Sequence, residues 1–361
     1  MLNILENSAY DFLTIFLVGF FSTLAIILTK RYHLGFTAKG HSGSSIQSAH
    51  KNPTPRVGGI AIAIAFGFGL FHSSDNEVYK LSLILGVSAL PVFLGGLGED
   101  IGKDIRPRVR LVLSFVSAAV AFLLFGFGIG RIGISSIDVI IAIPVISFVF
   151  TVLVSGGICH ATNLIDGLHG LAIGVSVVML LGLASISVSV NDMVMARICL
   201  GGVACLLGLL VFNFPLGKVF LGDAGAYSIG HVIAWIGVLI IARNPSVAPF
   251  SVLLVFFWPL TEMTFAIVRR KLNGKALSSP DRLHFHQLIM RGLEILLLTR
   301  KRRNVSNPAA SLIIVGLSSA PVFVAQNLSQ ENVPAFFAFI GFAVLFVGLY
   351  LIAQRFLTHL R

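Results

Sequence analysis

The amino-acid sequence predicts an all-α, polytopic integral membrane protein with about 11 transmembrane helices. Of its 361 residues, 56% are hydrophobic and only 11% are charged, and the mean hydropathy is +0.93. Soluble domains carry about 25% charged residues, so this composition excludes a soluble globular protein. Apolar runs of about 17 to 25 residues, the length that crosses the bilayer core, recur along the chain.

Eleven such runs are predicted to form helices. In chain order they cover residues 10–29, 57–71, 81–98, 111–126, 137–154, 171–190, 197–212, 225–241, 250–268, 309–325 and 334–353. Several are short or rich in glycine, which suits packed membrane helices because small residues let backbones approach. The first lysine or arginine is Lys30, so the N-terminus lacks the basic region of a cleavable signal peptide and the first run is expected to remain a helix.

No run of polar sequence large enough for a soluble domain interrupts these segments. We therefore predict that residues 1–361 form a single membrane-embedded domain. The longest loop covers residues 269–308 and carries helix-forming residues around Leu288 to Leu298. This loop is expected to include a short amphipathic or re-entrant segment.

The distribution of lysine and arginine predicts the orientation. The loops after the odd-numbered helices and the C-terminal segment hold 22 of the 26 basic residues. The opposite face holds only Lys80, Arg131, Arg197 and Arg243. Because basic loops stay in the cytoplasm, the N-terminus is predicted outside and the C-terminus inside. A multi-pass membrane protein whose basic loops face the cytoplasm is therefore expected.

The same distribution explains the net charge of +11. Nucleic-acid binding would need an exposed basic domain, which this chain lacks, so no nucleic-acid partner is expected. The bilayer itself is the expected partner, and residues 300–303 (Arg-Lys-Arg-Arg) could contact anionic headgroups. Cys159, Cys199 and Cys205 have no CxxC spacing, which indicates neither a disulfide framework nor a zinc site.

Polar and glycine-containing loops gather on the predicted cytoplasmic face. They are Glu99-Asp100, residues 163–167 (Asn-Leu-Ile-Asp-Gly), residues 220–225 (Phe-Leu-Gly-Asp-Ala-Gly) and residues 281–286 (Asp-Arg-Leu-His-Phe-His). Each alone has an ordinary explanation, such as a helix cap or a surface ion pair. Six further acids near the outer side have no such context and are interpreted as solvated loop or headgroup residues: Asp11, Asp75, Glu77, Asp138, Asp192 and Glu331. Four such loops on one face favour a functional site.

Carboxylates without accompanying cysteines form an oxygen-ligand site, which suits Mg²⁺, or Mn²⁺, better than zinc. Magnesium takes one or two carboxylates and leaves its other positions to water and substrate phosphates. Arginine and histidine nearby indicate phosphoryl transfer. The chain contains no Walker-type phosphate loop, so an ATP-driven pump is not supported.

In order and in loop placement, these motifs resemble those of the polyprenyl-phosphate N-acetylhexosamine-1-phosphate transferases, bacterial glycosyltransferase family 4. The resemblance adds residues 54–59 (Thr-Pro-Arg-Val-Gly-Gly) and residues 279–286 to the four loops and extends over residues 10 to 300. Within this family the chain is most similar to the undecaprenyl-phosphate N-acetylglucosamine-1-phosphate transferase branch. The phospho-MurNAc-pentapeptide translocases are related, but they usually carry adjacent histidines, whereas His284 and His286 are separated here.

The resemblance implies the reaction and the partners. An N-acetylhexosamine-1-phosphate, most simply GlcNAc-1-phosphate, would pass from a UDP-N-acetylhexosamine to undecaprenyl phosphate, with release of UMP. The product would initiate a cell-surface polysaccharide such as O-antigen, common antigen or a teichoic acid linkage. Another UDP-N-acetyl sugar, or UDP-MurNAc-pentapeptide, is left open as donor. The sequence also leaves open whether the protein is a homodimer.

The resemblance also implies residue roles. Asp223 would hold Mg²⁺, with Asp100 as a second acidic metal ligand. Glu99, Asp100 and Asp166 would complete the catalytic acids, with Glu99 or Asp100 positioning or deprotonating the acceptor. Substrate binding would fall to Asn163, to Asn213 and Phe220 around the uracil, and to Arg282, His284 and His286 around the sugar phosphate.

The chain departs from the family pattern at two positions. Glu99 stands where aspartate is usual, and His169 stands where the Asp-Gly-Leu-x-Gly motif usually has Asp or Asn. His169 could therefore mark a different nucleotide or sugar contact. Two other classes of protein are alternatives: an ion-coupled secondary transporter and a structural scaffold. A transporter predicts charges near the bilayer midplane, whereas these acids are predicted at helix ends on one face.

Overall fold

A computed structural model describes residues 2–37, 53–274, 281, 283–298 and 302–359. Over these residues the chain is helical and contains no β-strand. In chain order the helices are α1 (Leu2–Thr37), α2 (Gly58–His72), α3 (Asn76–Asp100), α4 (Pro107–Phe125), α5 (Ser135–Ile141), α6 (Pro144–Leu164), α7 (Leu171–Ser189), α8 (Met193–Asn213), α9 (Gly222–Arg243), α10 (Pro249–Val255), α11 (Phe257–Leu272), α12 (Phe285–Leu293), α13 (Arg303–Asn327) and α14 (Asn332–His359). A π-helical turn, Glu294–Leu298, continues α12.

The predicted fold class, an all-α polytopic membrane protein, is confirmed. Nine helices in the described part of the chain are individually long and apolar enough to cross a membrane, and the bent pair α10–α11 would make a tenth. The remaining apolar run, α2, forms a helix of 15 residues, which is short for a complete span. All eleven predicted runs thus contain helix, although fewer than eleven qualify as spans on their own.

Two of the predicted helices are interrupted, and both breaks have a local cause. The predicted helix 137–154 divides into α5 and α6 because Pro144, at the first position of α6, cannot continue the preceding helix. Helix α6 then runs on to Leu164, so Asn163 lies in its last turn. The predicted helix 250–268 bends by 77° at Phe256, between α10 and α11.

Helix α9 is the centre of the bundle. Among the 18 most apolar consecutive residues of α9, 83% are buried. The corresponding shares are 11% for α1 and 17% for α14. Glycines allow its neighbours to approach the backbone of its first turn. A Cβ on Gly59 of α2 would lie 2.9 Å from Cα of Gly225, and a Cβ on Gly96 of α3 would lie 2.6 Å from Cα of Ala224. Helices α2 and α3 therefore pack closely against the first turn of α9.

The far end of the bundle holds a set of ion pairs. Asp192 is buried and accepts a 2.8 Å hydrogen bond from Nε of Arg243, and Asp75 accepts one of 2.9 Å from Nη1 of Arg197. Each aspartate also caps a helix, α8 and α3 respectively. The interpretation of Asp192 as a solvated loop residue is wrong, because its carboxylate is buried and paired with Arg243, whereas the side chain of Asp75 is 30% exposed.

Candidate functional site

The carboxylate of Asp223 lies in the first turn of α9 and is buried. The helix begins at Gly222, whose φ of +75° is the left-handed conformation that glycine adopts without strain. A Cβ at this position would collide with the carbonyl oxygen of Arg56 and lie 2.6 Å from Oδ2 of Asp100. The glycine before Asp223 is therefore required by backbone conformation and by close approach of two other segments.

Three segments converge on this carboxylate. Oδ1 accepts hydrogen bonds from Nη2 of Arg56 at 3.2 Å and from Nδ2 of Asn163 at 3.3 Å. Oδ2 is ion-paired with Nη1 of Arg110 in the first turn of α4. Two guanidinium groups and the positive end of the α9 dipole thus surround one carboxylate. This is a site at which negative charge is favoured.

Asp100, the last residue of α3, caps α9 from outside that helix. Its Oδ1 accepts from the backbone N–H of Asp223 and its Oδ2 from that of Ala224, both at 2.9 Å. These are two of the N–H groups that an isolated helix would leave unpaired. Its neighbour Glu99 accepts a 2.7 Å hydrogen bond from the backbone N–H of Ile105 and so closes the α3–α4 loop. Both acids have structural partners, and their predicted catalytic and metal-binding roles stay predictions.

The motif at residues 54–59 pairs with the segment that precedes Asp223. The N–H of Phe220 donates to the carbonyl of Pro55 at 2.8 Å, and the N–H groups of Gly58 and Gly59 donate to the carbonyls of Phe220 and Leu221 at 2.9 Å. This backbone pairing brings Arg56 to the Asp223 carboxylate. Two motifs that lie about 165 residues apart in sequence therefore form one structural unit.

Phe220 and His169 form an aromatic edge beside this unit. Their ring centroids are 5.8 Å apart with an interplanar angle of 34°. Nδ1 of His169 lies 3.0 Å from the carbonyl of Pro215, which only accepts, so Nδ1 carries the hydrogen. Burial lowers the pKa of His169, which keeps its ring neutral at pH 7.

The amide of Asn213 joins the two loops on either side of this aromatic edge. Its Oδ1 accepts from the N–H of Gly170 at 2.6 Å and its Nδ2 donates to the carbonyl of Val219 at 2.7 Å. The predicted contact of Asn213 with a base stays a prediction, and its hydrogen bonds in this structure fix the shape of the loops.

Asp166 lies in the turn that follows α6, at the same end of the bundle. Burial raises the pKa of Asp166 to about 7, the Asp223 carboxylate adds to this rise, and Arg56 and His286 oppose it. The group therefore changes charge near neutral pH. Asp166 therefore lies within electrostatic range of Arg56, Asp223 and His286, at the same end of the bundle.

The raised pKa of Asp166 predicts a dependence of stability on pH. Between the unfolded value of 3.8 and about 7, the folded protein holds a proton that the unfolded chain has lost, so the free energy of unfolding falls as pH rises through this range. Asp166→Asn removes this effect. We expect the variant to raise the thermal midpoint more at pH 8 than at pH 5, measured without divalent cations. An equal change at both pH values would contradict the assignment.

The histidines of residues 281–286 lie on one side of that segment and Phe285 on the other. Phe285 is buried against Trp258 and Phe346, while the rings of His284 and His286 stack with centroids 5.5 Å apart and an angle of 9°. Burial lowers the pKa of His284 to about 4. His284 is the N-cap residue of α12, and Phe285 and His286 are the first two residues of that helix, so the stacked imidazole rings lie at the start of α12.

Asp281 anchors the start of the same segment. Its carboxylate is ion-paired with Arg269 and Arg270 of α11, and its Oδ1 accepts from the N–H of Leu283 at 2.9 Å. The pKa of Asp281 is lowered because this hydrogen bond and the neighbouring guanidinium groups outweigh its burial. Arg282, a predicted substrate ligand, lies outside the described residues.

Three residues of the site were given no role from the sequence, and one of them, Arg56, stood unassigned within the motif at residues 54–59. Arg110 was counted only as a topological charge, and Glu262 lies within the predicted helix 250–268. Glu262 is buried and its Oε1 is 2.8 Å from Nδ1 of His286. A lone acid inside an apolar run is a signal of function in a membrane protein, and this signal would have identified Glu262.

The oxygen donors around Asp223 fit Mg²⁺ in their chemistry. Asp223 and Asp166 interact electrostatically, and Asn163 adds an amide, whereas no cysteine lies among them. Among the described residues, no three His, Cys, Asp or Glu side chains are grouped as a metal cage. One or two carboxylates suffice for Mg²⁺ when phosphate oxygens and water complete its coordination. These residues therefore suit a cation whose remaining coordination positions are filled by water and by the phosphate oxygens of a substrate.

Comparison with known proteins agrees with this site. Residues 82–241, which include Asp100, Asp166 and Asp223, match the model of glycosyl transferase family 4. The chain is 29% identical over 249 residues to a probable undecaprenyl-phosphate N-acetylglucosaminyl 1-phosphate transferase of Bacillus subtilis strain 168, covering 68% of both chains. It is 29% identical over 304 residues to the undecaprenyl-phosphate alpha-N-acetylglucosaminyl 1-phosphate transferase of Escherichia coli strain K12, covering 80% of this chain and 78% of the relative. The corresponding Salmonella typhi protein is also 29% identical, over 290 residues that cover 78% of this chain and 76% of the relative. The chain is therefore similar to glycosyl transferase family 4 over the segment that holds Asp100, Asp166 and Asp223.

Proposed function

We propose that this protein transfers an N-acetylhexosamine-1-phosphate from a UDP-sugar to undecaprenyl phosphate and releases UMP. The preferred candidate for the transferred group is GlcNAc-1-phosphate. The names of the relatives above describe undecaprenyl-phosphate N-acetylglucosaminyl 1-phosphate transferases. The observation that carries the proposal is the placement of Asp223 between Arg56 and Arg110 at the N-terminus of α9. A carboxylate, two guanidinium groups and a helix N-terminus together suit a diphosphate and its cation.

Each group of the site has a distinct task in this reaction. Asp223 would hold Mg²⁺, or Mn²⁺ in its place, with Asp166 near it, and the bound cation would stabilise the charge that develops on the departing UMP. Arg56 and Arg110 bind phosphate oxygens through their planar forks. Asp100 holds the first turn of α9 in place and so keeps Asp223 aligned.

The acceptor needs no strong general base. A lipid phosphate is already ionised near neutral pH and attacks the sugar-bearing phosphorus in line, so the remaining acids position it. Glu99 and Asp166 are the candidates for this task. Phe220 with His169 offers a flat apolar face for the uracil ring. His284, His286 and Arg282 are placed by the same proposal at the sugar phosphate.

The proposed orientation places the site in the cytoplasm of a bacterium. This orientation follows from the tendency of basic loops to stay in the cytoplasm. The loops that carry the site, together with the C-terminal segment, hold 22 of the 26 lysine and arginine residues. The N-terminus would then lie outside the inner membrane and the C-terminus inside. The soluble donor would approach from the cytoplasm and the acceptor from the bilayer.

A vesicle assay tests the reaction and the orientation together. Inside-out membrane vesicles are incubated with Mg²⁺, undecaprenyl phosphate and each of a panel of UDP-sugars, and UMP release is measured. We expect UMP from UDP-N-acetylglucosamine only when donor, acceptor and divalent cation are all present, and little from sealed right-side-out vesicles, because the donor does not cross the membrane.

The same vesicles test the transporter alternative. Substrate accumulation in vesicles without lipid acceptor, and without UMP release, would overturn the proposal. Full activity in the presence of excess chelator would contradict the role given to Mg²⁺. Preference for another donor in the panel would retain the reaction class and change the sugar.

A further inference from the structure

Glu262 lies on α11 and points at a residue of the site that is remote from it in sequence. Its Oε1 is 2.8 Å from Nδ1 of His286, and both side chains are almost fully buried, at 2% and 1% exposed. A carboxylate at neutral pH only accepts hydrogen bonds, so the hydrogen of this pair resides on Nδ1 of the imidazole. The contact therefore selects which ring nitrogen carries a hydrogen.

The other nitrogen of the same ring faces the Asp166 loop. A Cβ on Gly167 would lie 2.6 Å from Nε2 of His286, which shows how closely that nitrogen approaches the backbone beside Asp166. The stacked His284 ring covers one face of His286 and opposes its rotation. Nε2 is thus held in one direction by a carboxylate on one side and a ring on the other.

The segment that carries His286 is also fixed at its start. Arg269 is ion-paired with Asp281 and hydrogen-bonded to the carbonyl of Leu283 and the hydroxyl of Tyr350. These contacts join α11 and α14 to the segment and leave little freedom to its backbone. Glu262 is then the side chain that determines the orientation of the His286 ring itself.

We propose that Glu262 is a positioning residue whose carboxylate accepts the Nδ1 hydrogen of His286 and so turns Nε2 toward the phosphate-bearing substrate beside Asp166. The inference rests on the proposed function for the identity of that substrate, whereas the pairing of Glu262 with His286 does not. A carboxylate behind a functional histidine fixes its tautomer and its ring orientation. Loss of such a partner lowers activity by about 10- to 100-fold.

Two variants of matched size separate positioning from packing. Glu262→Gln and Glu262→Met both preserve the length and approximate volume of the side chain, but only glutamine offers an oxygen that accepts the Nδ1 hydrogen. We expect Glu262→Gln to retain kcat/KM within about 10-fold and Glu262→Met to lose about a further 10-fold or more. Equal activity in the two variants, with equal thermal midpoints, would show that Glu262 only fills space.

A spectroscopic measurement tests the pairing without reference to any reaction. In protein with ¹⁵N-labelled histidine, the signals lost in His286→Gln identify the His286 ring. We expect its Nδ1 to be protonated in the unsubstituted protein and in Glu262→Gln, and to lose that preference in Glu262→Met. An unprotonated Nδ1 in the unsubstituted protein would overturn the proposal even if one variant does not fold. If the vesicle assay shows no transfer but Nδ1 is protonated, the proposed reaction fails and the pairing stands.

Discussion

Asp223→Asn is expected to lower kcat/KM for UMP release by at least about 10²- to 10³-fold, the scale for loss of a preorganised electrostatic group. The substitution removes the negative charge that two arginines and the α9 N-terminus surround. It also removes the oxygen ligand proposed for Mg²⁺, while the amide keeps the size of the side chain. The effect should appear in kcat more than in KM, because the charge that the site stabilises develops during the reaction.

Asp192→Asn is the matched control for this experiment. Asp192 is likewise buried, likewise paired with an arginine, Arg243, and likewise placed at a helix N-terminus, but it lies at the opposite end of the bundle. We expect it to lower the thermal midpoint and to leave kcat/KM within a few-fold. Undiminished activity in Asp223→Asn, or an equal loss of activity in the control, would contradict the proposed role of Asp223 as the metal ligand.

Gly59→Ala is expected to destabilise the protein and to lower its activity. The added Cβ would lie 2.9 Å from Cα of Gly225 and 3.0 Å from the carbonyl carbon of Ala224, and backbone atoms cannot give way as a flexible side chain would. Overpacking of this kind costs about 1–3 kcal/mol. Because the contact is with the first turn of α9, the Asp223 carboxylate should shift with it, and displacement of a reacting geometry by about 1 Å can cost about 10²-fold in rate.

Gly67→Ala, in the same helix, is the matched control. A Cβ on Gly67 would meet nothing within 4 Å, and alanine stabilises a helix interior relative to glycine by about 0.5–1 kcal/mol. We expect an unchanged or raised thermal midpoint and unchanged kcat/KM in this variant. The measurement is thermal unfolding in detergent together with UMP release. Similar behaviour of the two alanine variants would contradict the close packing of α2 on α9.

Several features of the fold were predictable because they depend on local composition. Apolar length identified the eleven helical runs. The interruption at Pro144 was also readable in principle, since proline ends a preceding helix. The bend at Phe256 was readable in the same way, because Pro259, in the first turn of α11, lacks the N–H that would bond to the carbonyl of Val255.

The candidate site was predicted only in part, because its contacts depend on how the helices pack. The four polar loops were expected on one face. The structure brings Asp223 into contact with Asn163 and Asp100. It also brings His286 close to Gly167. Arg110 was not selected because its charge was already explained by topology. Glu262 was not selected because no neighbouring glycine or polar motif marks it within its apolar run.

The sequence alone determined that this chain is a helical membrane protein, which loops carry its chemistry and which family its motifs resemble. These properties follow from hydrophobic length and residue type, which need no knowledge of distant neighbours. Only the tertiary structure decided what each acid contacts: Asp100 caps α9, Asp223 lies between two arginines, and Glu262 lies within hydrogen-bond distance of His286. The physical reason is that hydrogen bonding and charge pairing act over a few ångströms between groups up to 167 residues apart, and only the packing of the helices brings those groups together.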